Sequence, residues 1–555
     1  MKALSPYCVK PGRKALLIVL ALLILSGCAT PTVAPTPTPT RTPHPTATPM
    51  PTPTPTPAFP VTAGCTDDVP ATACTYWQGI VAQDPTHFAW TGQPVADVLL
   101  SQYTAPENNL SGRWTYAVAT TFYSLDDENI TSDDLKAAWS GTLGGTLAER
   151  PLYMTPDTLK ALTPLLGPPS ESTVHAVEAG NLLSETTAAT GYAVIPFDEL
   201  TPEWKVLRID GYSVLEKGLH PGLAFLEIEL ALKSDRADAM SLLQTQSISF
   251  SNRVEDQMTI VAMTGVTAMT RAFASWMEQK GNTFAAEPIR DWLVTADFTH
   301  ISNEVSFIPD CVPQPSGTMS FCSADKYIEL LEYVGTDIVE LTGNHLADKG
   351  LDPLRHSFEL YKERGWRWYG GGENLADATT PLTITQGPNQ LVFIGCNPVG
   401  PSYDWADETN PGSAPCDYDA MRAQVRQYRD EGYLPIVTLQ YLEAEQYYPS
   451  PQQIRDFRSF AEAGALVVQG SQAHQIQTFE YYGDTFIAYG LGNIFFDQNW
   501  LEAKPDFINR LVFYNGRMLS IDIRATTMLD YGQRRPMTPE ERRALLEMLI
   551  PLRPD

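Results

Sequence analysis

The chain has 555 residues, 43% of them hydrophobic and 19% charged, with 65 Asp and Glu against 38 Lys and Arg, a formal net charge of −27. Non-specific nucleic-acid binding needs basic surface, so this balance argues against a nucleic-acid partner. It also repels a polyanion unless a local basic patch or a metal compensates.

Residues 1–27 read as a lipoprotein signal peptide. Lys10, Arg13 and Lys14 precede an apolar run of 11 residues, Ala15 to Leu25, too short to span a bilayer as a helix. Leu25-Ser26-Gly27-Cys28 then has the small residues before cysteine of a bacterial lipobox. Cleavage there and acylation of the Cys28 thiol are expected, with an uncleaved signal anchor as the alternative. A lipid anchor in a membrane puts the rest of the chain outside the cytoplasm, at the cell surface. Residues 28–63 are a Pro/Thr-rich tether, including the run PTPTPTRTP. Such a segment has almost nothing to bury and favours extended polyproline II.

Cys8 leaves with the signal, and six cysteines remain beyond Cys28. They fall into local pairs: Cys65 with Cys74, Cys311 with Cys322, and Cys396 with Cys416. Nearest-neighbour disulfides suit an exported chain. Unpaired thiols or a structural zinc site are the alternatives, and no Cys-x-x-Cys spacing is present for zinc.

Residues 64–255 alternate strand-like runs (Trp114 to Thr121, Gly191 to Pro196, Trp204 to Ile209) with helical segments, which predicts an α/β domain. Ser132 is placed to cap a helix through Trp139, with Asp133 and Asp134 in its first turn. The stretches Glu128 to Thr142 and Thr190 to Gly218 resemble extracytoplasmic solute-binding proteins of the phosphate type. That resemblance implies a smaller, solute-binding-like domain ahead of the second region. It leaves open whether the domain binds a ligand or serves as a spacer or docking module.

Residues 257–530 continue the alternation. Strands are predicted at Met258 to Gly265, Asp337 to Leu341, Gln390 to Cys396, Leu434 to Gln440 and Ala465 to Gln469, and a strand or strand-loop at Leu293 to Phe307. Helices are predicted at Asp325 to Val334, Leu351 to Gly365, Tyr418 to Glu431 and Pro451 to Ala463. Hairpins turn at Tyr482-Gly483-Asp484 and at Asn515-Gly516, and Asn-Gly suits a type I′ turn. Two packed sheets flanked by helices are expected. Residues 531–555 are set apart as a C-terminal tail.

Polar residues gather at predicted strand ends: Asn303-Glu304, then Asn344-His345 with Asp348, then His474, then Asn493 in Gly490-Leu491-Gly492-Asn493-Ile494. These motifs, in this order, resemble the CapA family of poly-γ-glutamate capsule proteins. The resemblance implies a four-layer α/β/β/α sandwich of the calcineurin-like metallophosphoesterase type. It also implies a site with Asn344 and His345 as catalytic groups and Glu304, Asp348 and His474 as ligands of one divalent metal (Mn, Fe or Zn). Asn303, Gln440, Gln472 and Asn493 would line it.

The sequence departs from the family pattern at three stations. Met263-Thr264-Gly265-Val266-Thr267 lacks the first acid, Gln440-Tyr441-Leu442 has glutamine for histidine, and Gly470-Ser471-Gln472-Ala473-His474 keeps only its last histidine. Glutamine oxygen is a poor substitute for imidazole towards such metals. Glu443 and Glu445 could partly compensate or belong to an ordinary solvated loop. Plain structural roles also stand: a loop hydrogen bond for Asn344, a helix cap for Asp348, a structural histidine at His474 and a turn at Asn493. Two readings follow. One is metal-assisted hydrolysis in capsule or poly-γ-glutamate metabolism. The other is a non-catalytic module that binds a cell-envelope polymer or a surface partner.

Overall fold

A strand buried on both faces reads as a nearly continuous apolar run, and Met258–Thr267 is such a strand, with every residue buried. The computed structural model describes residues 60–103, 111–125, 128–244, 248–443 and 445–554. The signal peptide, Cys28 and the tether up to residue 59 lie outside the described residues. All of the described residues belong to one compact unit, residues 55–555.

Met258–Thr267 lies inside a sheet of eight described strands. Parallel neighbours Phe298–Asn303, Thr336–Glu340 and Arg367–Tyr369 extend it on one side. The antiparallel strands Pro505–Tyr514, Arg517–Leu529 and Gln533–Pro536 extend it on the other. A second sheet of six runs in the order Leu382–Gln386, Asn389–Cys396, Leu434–Leu439, Val467–Gly470, Thr485–Ala488 and Phe479–Tyr482. Val261, Met263 and Ile338 of the first sheet meet Phe393, Ile436 and Phe486 of the second in one apolar layer. Phe273 of helix Arg271–Lys280 and Phe358 of helix Leu351–Arg364 cover the outer face of the first sheet. Val425 of Tyr418–Asp430 and Phe457 of Pro451–Glu462 cover the second. The layers are therefore α/β/β/α, a mixed α/β fold as expected.

The first region is a ten-stranded mixed sheet centred on Ser111–Thr121. Its core is continuous with the sandwich, since Met258, Ile260, Val512 and Tyr514 pack into the same cluster as Trp114 and Tyr116. Polar contacts join the two regions as well. Arg208 pairs with Asp522 at 2.9 Å and Arg524 with Glu216 at 2.7 Å. Tyr481 Oη donates to the Pro202 carbonyl at 2.9 Å.

Several details differ from the expectations. The ten-stranded sheet of the first region begins at Val61, inside the segment assigned to the tether. Thr131, not Ser132, caps the helix Ser132–Trp139, accepting from the Asp134 amide. Leu293 and Val294 end a short helix, and the strand starts only at Phe298. Residues 531–555 are not a separate tail. Gln533–Pro536 pairs with Arg517–Leu529, and helix Pro539–Leu549 buries Leu545, Leu546 and Leu549 in the apolar layer of the sandwich. The helix is amphipathic with a Thr538/Glu541 capping box, a signal present in the sequence and passed over. All three disulfides form between nearest neighbours: Cys65–Cys74, Cys311–Cys322 and Cys396–Cys416. Among the described residues, no helix is long and apolar enough to cross a membrane.

Candidate functional site

Open α/β sheets place ligands beyond the carboxyl ends of their parallel strands. The polar stations gather there. Phe298–Asn303 delivers Asn303 and Glu304, and Thr336–Glu340 leads into the loop of Asn344, His345 and Asp348. Leu434–Leu439 delivers Gln440, and Val467–Gly470 delivers Ser471 and the segment to His474. The loops meet closely: a Cβ at Gly343 would lie 2.7 Å from the Glu304 Cα, so only glycine fits there.

Gln440 ties the centre together. Its side-chain amide donates to Glu304 Oε1 at 2.6 Å and to Asn344 Oδ1 at 3.0 Å, and its oxygen accepts from the Ser471 hydroxyl at 2.9 Å. Ser471 in turn lies 3.2 Å from the Thr342 hydroxyl, which donates to buried Glu340 at 2.7 Å. Burial pushes the Glu304 carboxyl upward, partly opposed by His345 and by the Gln440 hydrogen bond. Asn344 therefore bonds a side chain of another strand end rather than its own loop.

His345 Nδ1 lies 2.8 Å from Asp348 Oδ2. Burial works against the imidazolium, yet the bond to Asp348 and the charges of Glu304, Asp348 and Asp404 outweigh it. The His345 pKa ends above the ordinary histidine value. Asp348 also accepts from the Phe321 amide at 2.7 Å. It does not cap the following helix, whose N-cap is Gly350 with no side-chain bond. His474 Nδ1 lies 2.7 Å from Asn493 Oδ1, and the Asn493 amide donates back to the His474 carbonyl at 3.1 Å. Burial lowers the His474 pKa, so its imidazole is neutral, and Glu443 sits 3.9 Å from its Nε2. Asn303 turns away, donating to Tyr361 Oη and to the Val305 carbonyl. Gln472 is buried with no partner for its oxygen among the described residues.

Sequence reasoning missed three participants. Arg271 is gripped by both oxygens of Asp497 and lies over the rings of Phe321 and Phe496, at 5.0 and 4.7 Å. Those rings neighbour His345 and His474 respectively, so the guanidinium is linked to both histidines through aromatic contacts. Asp404, on the loop after Asn389–Cys396, is buried and accepts from the Ala347 amide at 2.6 Å, while its Oδ2 has no partner. Burial pushes it up to about 7. Asp497 closes the Asn-Ile-Phe-Phe-Asp run, and an acid after an apolar triplet was a usable signal. For Arg271 and Asp404 the sequence carried none.

Residues 260–498 match the family model described as Bacterial capsule synthesis protein PGA_cap. This region is a CapA-family domain. The Capsule biosynthesis protein CapA of Bacillus anthracis is 23% identical over 274 residues, covering 47% of this chain and 65% of that protein. The PGA biosynthesis protein CapA of Bacillus subtilis (strain 168) is 21% identical over 178 residues, covering 32% of this chain and 47% of that protein. The chain thus spans less than two thirds of either CapA relative. Among solved structures, an ABC-type phosphate transport receptor from Vibrio cholerae covers 33% of this chain and 91% of its own, at 13% identity. Its TM-score is 0.27.

The donor set of this CapA domain does not fit a divalent-metal centre of the kind the resemblance implies. Val266, following Gly265 where the family has its first acid, packs with Ala268, Val305, Phe321 and Phe496. The Gln440 amide points N–H bonds, not lone pairs, at Glu304. The Nδ1 atoms of both histidines are engaged. Among the described residues, no group of three or more His, Cys, Asp or Glu side chains is placed to hold a metal ion.

Proposed function

We propose that this chain is an extracytoplasmic protein, held at a membrane by lipid on Cys28, that works in capsule or poly-γ-glutamate metabolism as a binding module. The names of its relatives support the capsule setting, and the disulfides suit an oxidising compartment. One observation carries the choice of binding over catalysis: the Gln440 amide holds Glu304 and Asn344 in a closed hydrogen-bond network. That network occupies Glu304, one of the groups a metal would need.

The charge balance of the site suits a polyanion only under some conditions. Arg271 is matched by Asp497, and His345 by Asp348. Glu304 and Asp404 are held towards their neutral forms by burial. As pH falls through about 7, Asp404 takes up its proton, which removes a negative charge from beside His345 and Asp348. Calorimetric titration of residues 55–555 with poly-γ-glutamate should then show saturable binding that tightens from pH 8 to pH 6, survives chelator and weakens in His345→Ala. No binding at either pH sinks the reading.

Metal-assisted hydrolysis with a Mn, Fe or Zn ion is the second reading. It is favoured by the common location of Glu304, His345 and Asp348, which act on one another electrostatically. Elemental mass spectrometry after re-equilibration with these metals and desalting separates the two readings. Stoichiometric metal, lost in His474→Ala, would replace the binding module by a hydrolase.

A further inference from the structure

At the opposite end of the second sheet from this site lies a cavity of about 660 Å³. Leu434 opens the strand that ends next to Gln440, and Leu466 precedes the strand that ends next to Ser471; both line the cavity. Six residues at about 3.3 Å each put the cavity roughly 20 Å from the candidate site. Its other wall comes from the first region, so it sits between two packed regions, a common place for ligand pockets. Phe122 and Tyr123 stand there, just past the end of the Ser111–Thr121 strand, facing Tyr481 and Met518.

The walls are apolar and aromatic, and three of the five charged side chains are cationic. Arg429, Arg517 and Arg553 line the cavity, against Glu203 and Asp484. The local balance is cationic, against a net charge of −27 for the chain. Arg517 is engaged, donating to the carbonyls of Leu200 and Asp198. Arg553 lies over the Tyr123 ring at 3.8 Å. Neither Arg553 nor Arg429 pairs with a carboxylate among the described residues. Planar guanidinium groups beside aromatic rings match a carboxylate or sulfonate carried on a flat or apolar body.

We propose that this cavity is a binding site for a small amphipathic organic anion, with its apolar body against Phe122, Tyr123, Leu434 and Leu466 and its anionic group at Arg429 and Arg553. The proposal goes beyond the role of the candidate site and does not depend on it. The probe is 8-anilinonaphthalene-1-sulfonate, titrated calorimetrically into residues 55–555. One saturable site is expected, weakened at least tenfold in the double variant Arg429→Gln/Arg553→Gln and unchanged in His345→Ala. Thr187→Trp, at the exposed rim, should block the site with both arginines intact, and it decides the matter if the double variant does not fold. Displacement of the probe by laurate or by indole-3-acetate supports the proposal and says whether the body is acyl or aryl. No saturable binding, displacement by neither, or equal affinity in the rim variant overturns it.

Discussion

At Gln440 one amide bonds three side chains from three strand ends, and each of those bonds is buried or nearly so. Gln440→Leu keeps the volume but strands the Glu304 carboxyl. A buried polar group left without its partner costs about 1–3 kcal/mol, so urea unfolding should show a loss of that size. An unchanged midpoint would mean that water replaces the amide and that the network is open. Asp404 gives a pH signature. Its folded pKa, about 7, lies above the unfolded value of about 3.9. Its contribution to stability is therefore full below about pH 4 and is lost as pH rises through about 7. Asp404→Asn stays neutral throughout, so it should lose less stability than the wild type between about pH 5 and pH 8. Equal slopes in both proteins would show that Asp404 is ionised across that range.

The elements differ in how much of their stability is local. The Asn515-Gly516 turn is set by its own backbone, with φ of 50° and 79°, which few residue pairs other than Asn-Gly adopt comfortably. The helix Pro539–Leu549 needs both its cap and its packing. Thr538→Ala removes the capping box and should cost about 1 kcal/mol. Leu546→Ala leaves a cavity in the layer between the sheets and should cost about 2–5 kcal/mol. Denaturant midpoints of the two variants check this order. A negligible effect of Leu546→Ala would mean that the helix is only loosely attached. The loop from Thr342 to Asp348 has no regular structure of its own; its contacts with Glu304, Gln440, Phe321 and Asp404 hold it.

For the whole molecule, the continuous core across the two regions has a thermal consequence. Trp114 and Tyr116 share a cluster with Ile260 and Val512, and Arg208, Asp522, Arg524 and Glu216 form a linked set of ion pairs across the same junction. Burial opposes ionisation of Asp522, but the adjacent Arg524, Arg208 and Arg510 more than offset it and hold its carboxyl well below the usual range. Residues 55–555 should unfold in one calorimetric transition, with calorimetric and van't Hoff enthalpies in agreement. Two separated transitions would show that the regions are independent domains joined by a passive interface.

Much of this was legible in the chain itself. Periodicity located the central strands of both sheets and the helices Leu351–Arg364, Tyr418–Asp430 and Pro451–Glu462, because strands buried on both faces and amphipathic helices imprint their burial on the sequence; it did not locate Arg367–Tyr369, Leu382–Gln386, Gln533–Pro536 or the helices Arg271–Lys280 and Pro539–Leu549. Short spacing was enough to pair the cysteines. Motif order marked Glu304, Asn344, His345, Asp348 and His474 as neighbours in function, and all of them lie at strand ends of the two facing sheets. What each side chain does there came only from the tertiary structure. Asp348 as cap or as acceptor for the Phe321 amide, Asn344 as loop brace or as acceptor for Gln440, and Arg271 over two aromatic rings are contacts across tens to hundreds of residues. Hydrogen-bond choice and burial depend on which groups meet, and local sequence does not encode that. The arginine-lined cavity is the plainest case, since its walls come from both regions and no single segment contains it.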